Sequence, residues 1–242
     1  MRIGNFAVAY LSHACFRFTT PEGKVLLTDP FFSPGFKWQN HIERRLTPSY
    51  VPVSAIKVCD IIFVSHIHGD HYDANAILAI HAATHARVLA PPDVLESLAA
   101  RGMEDSSLLV ASEGELFRFG DLTIHTYAGY DESFDAQGRP NKFSLVAETG
   151  ATRLFYSGDC HHLPPAVRGM KVEAMFCWPH PKDDKLVGLV KGLEARCFVL
   201  MHGDRFEPGR FFCNFNYAAQ KKRMATLCPE QEVVIPKRTK RL

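Results

Sequence analysis

The sequence predicts a layered α/β structure with two mixed β-sheets, and three observations support this prediction. Short runs of β-forming residues alternate with helical patterns, hairpin signals occupy the middle of the chain, and several predicted strands end in His or Asp. Strands and helices mixed in this order favour two packed sheets over a purely parallel sheet. The 242 residues, 46% of them hydrophobic, suffice to bury a large core. We therefore predict a single domain over residues 1–242.

The predicted strands lead into side chains that can carry chemistry. Runs of β-forming residues followed by small or polar residues are typical of buried strands. Four such runs cover residues 7–11, 61–64, 154–156 and 198–201, and they lead into His13, His66, Asp159 and His202. If these strands share a direction, their carboxyl ends place the four side chains along one edge of the sheets.

Helical patterns lie between these strands. Asp73 and Asp93 are candidate N-caps of two helices, the second of which ends at Gly102. A third pattern begins near Asp183 and carries apolar residues at helical spacing as far as Leu193. These helices are expected to cover the sheets.

The middle of the chain predicts two antiparallel hairpins. Residues 116–119 and 122–126 are β-forming runs on either side of a Gly-Asp turn. Residues 143–147 and 153–156 repeat this arrangement around a second turn that contains glycine. The hairpins make the sheets mixed.

Composition excludes several classes of function. With 28 basic and 26 acidic residues, the chain has no charge excess that would indicate a nucleic-acid partner. The seven cysteines show no C-x-x-C spacing and several lie in apolar runs, which favours buried thiols in a reducing compartment. No apolar stretch is long enough to be a transmembrane helix, and no secretory signal is visible. We expect a cytoplasmic protein that acts on a small molecule.

The strongest signal is the run from His66 to His71, which reads His-Ile-His-Gly-Asp-His. Three imidazoles and a carboxylate within six residues supply the donors that Zn²⁺ or a similar divalent ion prefers. Histidines at positions i and i+2 of extended backbone point to the same side, so His66 and His68 can bind one ion. Gly69 permits a tight turn that brings Asp70 and His71 toward a second ion. An accidental histidine-rich loop is the alternative.

This run resembles the H-x-H-x-D-H signature of the metallo-β-lactamase superfamily. The segment 12–16 is similar to its "G-H-A-x-F" element, and 28–33 to its "D-P-x-x-S" element. Both elements are found in the branch that contains ascorbate-6-phosphate lactonase and N-acyl-phosphatidylethanolamine phospholipase D. The resemblance covers about residues 5 to 210. It implies an αββα sandwich of two mixed sheets flanked by helices.

The resemblance also implies a set of metal ligands. It puts His66 and His68 on a first metal and Asp70, His71 and His202 on a second, with Asp159 as the bridge between the two. The expected cofactor is one or two zinc ions, and Mn²⁺ or Fe²⁺ are alternatives. Asp70 or Asp159 is expected to hold the attacking water and accept its proton.

The sequence departs from the family in one place. A further first-metal histidine is expected before the Gly-Asp strand, and the segment 126–132 contains none. The candidate substitutes are His125, Asp131, Glu132, His161 and His162. The second site is therefore predicted to be complete and to bind its ion more tightly than the first.

Other residues leave alternatives open. His13 is either a pocket residue or a support for the metal ligands. His180 follows a predicted strand and is a candidate catalytic residue, as a substrate contact or proton donor, although a loop histidine between prolines can also be structural. The loop from Phe31 to Trp38, with Arg44 and Arg45 beyond it, is either an apolar and cationic substrate wall or core packing with solvated arginines.

These observations predict a metal-dependent hydrolase of a phosphoester or of a lactone or other carboxylic ester. Its substrate is expected to be a small molecule, for which phosphorylated and acylated compounds are the candidates. The alternative is a metal-binding protein of the same fold that binds or senses a ligand with lost or reduced catalysis. A di-iron oxidoreductase on this fold is a weaker alternative, because that branch replaces the second histidine of the motif with Glu and His68 is present here.

Overall fold

Two seven-stranded β-sheets pack face to face in the computed structural model, with helices on their outer faces. The structure describes residues 1–38, 40–129, 134–207 and 216–242. Asp131 and Glu132, two of the expected substitutes for the missing histidine, lie outside these residues. The αββα sandwich expected for the chain is confirmed.

The first sheet combines an antiparallel part with a parallel part. In chain order the elements are β1 (Arg2–Ile3), β2 (Phe6–Ser12), β3 (Cys15–Thr19), β4 (Val25–Thr28), β5 (Gly35–Trp38), β6 (His41–Arg44), β7 (Ile61–Phe63), α1 (Ala74–Thr84), β8 (Arg87–Ala90), α2 (Pro92–Ala99) and β9 (Leu108–Val110). The sheet order is β1-β2-β3-β4-β7-β8-β9. Strands β1 to β4 pair antiparallel, and β4, β7, β8 and β9 pair parallel.

The second sheet likewise combines an antiparallel part with a parallel part. Its elements are β10 (Leu116–Phe119), β11 (Leu122–Ala128), β12 (Phe143–Thr149), β13 (Thr152–Tyr156), β14 (Lys171–Cys177), α3 (Asp183–Val190), β15 (Glu194–Leu200), α4 (Tyr217–Leu227) and β16 (Glu232–Val234). Strands β10 to β13 form an antiparallel meander, and β13 to β16 are parallel. Both predicted hairpins are therefore present. Single 3₁₀ turns cover Val53–Ala55, Asp105–Ser107 and Pro165–Val167.

The core between the sheets is rich in aromatic residues. The rings of Phe16 and Phe18 on β3 lie 4.8 and 4.9 Å from the ring of Phe176 on β14, each edge to face. Such geometry suits the ring quadrupoles and adds to the stabilisation from buried area. This cluster draws on both sheets, so the two sheets share one core. That residues 1–242 form a single domain stays a prediction.

The helices cover the outer faces. Apolar residues of α1 and α2 pack on the first sheet, and those of α3 with Met224 of α4 pack on the second. Asp73 caps α1 as predicted, since its side chain accepts a hydrogen bond from the N–H of Ala76. The prediction for α2 was wrong at its start. Pro92 opens that helix, because a proline in the first turn costs no hydrogen bond, and Asp93 lies inside the first turn.

The segment after β4 is a hairpin rather than the predicted loop. Strands β5 and β6 pair with each other in a separate two-stranded sheet. The phenylalanines of this segment pack in the core, as one of the two interpretations expected, and only the expectation of a solvated Arg45 was wrong. Phe31 is fully buried, and Arg45 is buried with its guanidinium 4.6 Å above that ring, whereas Arg44 is exposed.

The described residues also bear on two expectations from the sequence, that the cysteines are buried thiols and that no apolar segment forms a transmembrane helix. All six cysteines in the described residues are free and buried. No described helix has the length and apolar character needed to cross a bilayer.

Candidate metal centre

The carboxyl ends of parallel strands from both sheets meet at one edge of the sandwich. His13 follows β2, Asp29 follows β4, and His66 follows β7 in the first sheet. Asp159 and His202 follow β13 and β15 in the second sheet. The six residues predicted as metal ligands fall, with His13, into two adjacent groups at this edge.

The first group, which we call the inner group, is fully buried. It consists of His13, Asp70, His71 and His202, each of which offers one donor atom within 4.8 Å of the others. His13 Nε2 lies 3.1 Å from Asp70 Oδ2, and His202 Nε2 lies 2.9 Å from His71 Nε2. Four donors at this spacing can surround one divalent ion.

The second group, which we call the outer group, is closer to solvent. It consists of His66, His68 and Asp159, whose donor atoms also lie within 4.8 Å of one another. The rings of His66 and His68 are 4.5 Å apart, as expected for histidines at i and i+2. His66 is buried, whereas His68 and Asp159 are partly exposed. Three protein donors with one open side are typical of a catalytic metal site.

Asp159 lies between the two groups. Its Oδ1 is 2.7 Å from His202 Nε2 and 3.2 Å from His71 Nε2, while its Oδ2 is 3.7 Å from His66 Nε2. One carboxylate oxygen therefore faces each group. Asp159 and His202 thus converge on the loop from His66 to His71, as expected from the sequence.

Asp29 orients the histidines of both groups although it belongs to neither. It is fully buried, and its Oδ2 accepts hydrogen bonds from His71 Nδ1 at 2.7 Å and from Ser65 Oγ at 2.7 Å. Ser65 Oγ in turn lies 2.9 Å from His66 Nδ1. These contacts assign the protons to the Nδ1 atoms, so the Nε2 atoms of His66 and His71 present lone pairs to the centre.

The residues present fit a metal ion. His66 Nε2 is buried and has no hydrogen-bond partner among the described residues. Burial, aided by the neighbouring His71, lowers the pKa of His66 well below its usual value, so the ring is neutral and can donate a lone pair. A buried nitrogen aimed at two neighbouring donors is a costly arrangement unless a cation completes it.

The carboxylates of the centre remain ionised. Burial alone raises the pKa of Asp70, but His71 and His13 outweigh it and lower that pKa to about 2. Burial likewise raises the pKa of Asp159, and the imidazoles of His202 and His71 reverse this, so that its pKa falls well below the usual value. Two carboxylates, the buried Asp70 and the partly exposed Asp159, lie among neutral or hydrogen-bonded imidazoles and can attract a cation.

The pKa of His71 also reflects the negative charges around it. Burial lowers its pKa, but the carboxylates of Asp159, Asp29 and Asp70 more than offset that effect and hold the pKa well above its usual value. A divalent ion bound at Nε2 would take the place of that proton, since metal binding releases protons from its ligands.

His13 joins the inner group. The sequence left it open between a pocket residue and a support, and its Nε2 faces Asp70. Burial, followed by repulsion from His202, lowers its pKa to about 3, so the ring is neutral. The second-metal group therefore has one more donor than the resemblance implied, while Asp159 still reaches His71 and His202.

The remaining substitutes for the missing histidine do not join the outer group. His125 alternates along β11 with the core residue Ile124, which places it on the outer face of the second sheet. His161 contacts other rings and His162 is exposed. Among the described residues, therefore, none of these three histidines belongs to either donor group.

His180 lies in an aromatic cluster beside the centre. Its ring is 4.5 Å from the ring of His161 and 4.9 Å from that of Trp178, which stacks on the candidate ligand His202 at 5.4 Å. His180 Nδ1 accepts the backbone N–H of Lys182, which leaves the proton on Nε2. Burial lowers the pKa of His180, so the ring is a neutral donor.

Two glycines, one in the loop from His66 to His71 and one directly before Asp159, allow these segments to approach their neighbours. A Cβ on Gly69 would lie 2.8 Å from Phe36 of β5, so close contact with the hairpin, rather than a left-handed turn, requires this glycine. Gly158 has a φ of +52°, and a Cβ there would lie 2.7 Å from the side chain of Ser65. It brings Asp159 against the loop that carries His66.

Sequence reasoning missed three residues that hold the centre together. Asp29 was noticed only within the "D-P-x-x-S" element, and its polar side chain directly after a buried strand was the signal that could have marked it. Ser65 and Asp204 gave a weaker signal, since each is an ordinary polar residue beside a histidine. Their role depends on contacts across the fold.

Comparison with known proteins identifies the family. The profile of the Beta-lactamase superfamily domain matches residues 7–170. A "UPF0173 metal-dependent hydrolase" of Rubrobacter xylanophilus is 29% identical over 165 residues, which are 65% of this chain and 62% of that protein. The "Probable L-ascorbate-6-phosphate lactonase UlaG" of Escherichia coli O127:H6 is 23% identical over 62% of this chain and 49% of its own length. The chain thus spans less than two thirds of these relatives.

Solved structures share the fold at low identity. The isothiocyanate hydrolase from Delia radicum gut bacteria superposes with a TM-score of 0.70 at 18% identity, covering 95% of this chain and 96% of that one. CmlA, a diiron β-hydroxylase from Streptomyces venezuelae, gives a TM-score of 0.67 at 16% identity over 98% of this chain and 54% of its own. At such identities the similarity concerns the fold alone.

Proposed function

Because the chain belongs to the beta-lactamase superfamily, we propose that it is a metal-dependent hydrolase of a small phosphoester or of a lactone or other carboxylic ester. Its proposed ligands are His66, His68, Asp70, His71, Asp159 and His202, with His13 added to the inner group. Zinc is the first candidate, since imidazole and carboxylate donors suit it, and Mn²⁺ or Fe²⁺ are alternatives.

The position of Asp159 carries this proposal. Its two oxygens face different donor groups, at 2.7 Å from His202 Nε2 on one side and 3.7 Å from His66 Nε2 on the other. A carboxylate in this position can bridge two ions, and paired ions are suited to hydrolytic displacement. A purely structural ion would need a closed set of donors and no partly exposed neighbour.

The proposed chemistry divides between the ions and the side chains. Bound divalent ions would lower the pKa of water and polarise the carbonyl or phosphoryl group whose carbon or phosphorus is attacked. Asp159, partly exposed and ionised, orients the attacking water and accepts its proton, whereas the deeply buried Asp70 holds the inner group together. His180 donates its Nε2 proton to the leaving group or holds the substrate.

The surroundings of the outer group support a small substrate with an anionic or apolar part. The charge of Lys142 contributes to lowering the pKa of His66, His68 and His161, so this lysine lies within electrostatic range of the outer group. Trp38 of the hairpin meets the ring of His68 edge to face at 5.1 Å. A phosphate or carboxylate would suit the lysine, and an acyl or ring portion would suit the indole.

The test combines metal analysis with two model substrates. Protein stripped of metal is reloaded with zinc, manganese or ferrous iron, and hydrolysis of bis-p-nitrophenyl phosphate and of γ-butyrolactone is followed. We expect metal-dependent turnover of at least one of them, lost in Asp159→Asn and retained in His125→Ala. Turnover of one substrate alone identifies the ester class.

One result would favour the alternative of a ligand-binding protein. If wild-type protein binds two ions but hydrolyses neither substrate nor a wider set of phosphoesters and lactones, catalysis is absent and the metal centre has another use. If it binds no divalent ion, both the proposed hydrolase and the metal-containing ligand-binding protein are wrong.

A further inference from the structure

A buried cluster of charges lies directly behind the inner group. Asp204 follows His202 by two residues, and its side chain is fully buried. It forms ion pairs with Arg45, just after β6, and with Arg238, beyond β16. Three segments that are distant in sequence therefore meet at one carboxylate, which we call the Asp204 cluster.

The same carboxylate reaches the metal ligands through the backbone. The N–H of His13 donates to Asp204 Oδ1 at 3.2 Å, and the N–H of His202 donates to the carbonyl of His13 at 2.9 Å. These two bonds join the end of β2 in the first sheet to the end of β15 in the second. The inner group spans this seam.

His13 and His202 need such support because their backbones are strained. They have φ angles of +38° and +62°, in the left-handed region that residues with a Cβ rarely adopt. A conformation of this kind persists only when its surroundings fix it, and it often occurs at functional sites. Asp204 supplies a fixed acceptor at this point.

The two arginines fix the carboxylate in turn. Arg45 Nη1 also donates to the carbonyl of Phe31 at 3.1 Å, and Arg238 Nη1 donates to the carbonyl of Pro48 at 2.8 Å. The segment 237–239 is further held by the N–H of Thr239, which donates to the carbonyl of Tyr10 at 2.7 Å on β2. The cluster thus has little freedom to move.

We propose that Asp204 is a positioning residue for the inner metal group, and that Arg238 makes the segment 237–239 part of the machinery that holds His13 and His202. The proposal rests on the metal centre proposed above. It assigns no substrate contact to the cluster. It predicts that metal binding and docking of the segment 237–239 are coupled.

The experiment measures metal binding rather than turnover. Metal-free protein is titrated with Co²⁺, whose visible absorption reports the geometry of its ligands, in competition with a chelator. For Asp204→Asn we expect affinity for one ion to fall about 10–100-fold, the range for partners that orient ligands, with an altered spectrum of that ion. The other ion should bind as in wild type.

Two further variants keep the test decisive. Glu173→Gln makes the same acid-to-amide change in an exposed ion pair with Arg196 and should change neither affinity nor spectrum. If Asp204→Asn does not fold, Arg238→Met is used, because it leaves the Arg45–Asp204 pair intact. We expect Arg238→Met to weaken the same ion, and Arg238→Lys to restore part of the loss.

Hydrogen exchange supplies the reciprocal measurement. Because coupling acts in both directions, loading wild-type protein with Co²⁺ should slow exchange of the Thr239 amide, and this effect should shrink in Arg238→Met. The proposal is overturned if folded variants bind both ions with wild-type affinity and spectrum, or if both ions weaken equally. Wild-type protein that binds no Co²⁺ would instead refute the proposed function.

Discussion

The inner and outer donor groups share one edge of the sandwich but differ in their surroundings. All four inner donors are buried, whereas two of the three outer donors are partly exposed. The inner group has the Asp204 cluster behind it, whereas Trp38 contacts His68 of the outer group and the charge of Lys142 helps to lower the pKa of that histidine. The difference suggests that the inner group retains its ion, whereas the outer group contacts water and substrate.

The largest expected effect separates the groups by removing an inner donor. His71→Ala should lower affinity for the inner ion by more than about 100-fold, since even partners that only orient ligands are worth about 10–100-fold. Metal content after dialysis should fall by one ion, with loss of turnover. His125→Ala, on the outer face of the second sheet, is the matched control. Tight binding that survives in His71→Ala would mean that the groups are assigned in reverse.

The second expected effect concerns the outer group. His66→Ala should weaken the outer ion by about 100-fold and leave the inner ion within about 3-fold, because His66 is not among the inner donors. The dialysed protein should retain one ion and turn over slowly. Loss of both ions in His66→Ala and likewise in His71→Ala would show that Asp159 couples the groups too strongly for the comparison to hold.

Asp29→Asn tests the support that the groups share. Asp29 contacts His71 directly and reaches His66 through Ser65, so we expect both ions to weaken by about 10–100-fold. Chelator competition measures both affinities. Asp60→Asn, at a partly exposed pair with Lys24, is the control and should leave them unchanged. An effect on one ion alone would restrict Asp29 to that group.

The smallest expected effect concerns the open side of the outer group. Lys142→Met should raise KM for a phosphodiester about 3- to 10-fold, consistent with about 1 kcal/mol for a charge pair near the surface, and should leave metal content unchanged. KM for an uncharged lactone should not change. Lys171→Met on the second sheet is the control. An equal rise for both substrates would remove charge recognition from this residue.

The fold was largely predictable because its signals are local. Hydrophobic runs, turn glycines and the Asp73 cap determine strands and helices over a few residues, and the motif from His66 to His71 contains most of one site by itself. Even the convergence of Asp159 and His202 follows from a simple rule about the ends of parallel strands. The β5–β6 hairpin was missed because its residues, from Gly35 to Arg44, also suit an aromatic loop.

The parts that could not be predicted depend on contacts distant in sequence. Arg45 looks like a surface residue until Asp204 is known to lie against it. His13 could not be assigned because its neighbour Asp70 lies 57 residues away along the chain. Asp29 has no distinctive spacing to its partners. Such residues can be recognised only from the contacts that the folded chain brings together. No periodic pattern in the sequence marks them.

The seam at His13 also has a consequence for how the protein folds. Its bond to Asp204 joins residues 191 positions apart, so the inner group forms only after most of the chain has collapsed. Closing such long loops is slow, because their entropy is lost before the contacts form. Local clusters such as zinc fingers can use their metal to nucleate folding. Here the inner ion should bind late, after the two sheets have packed together. The rate of refolding should therefore be nearly independent of the metal concentration.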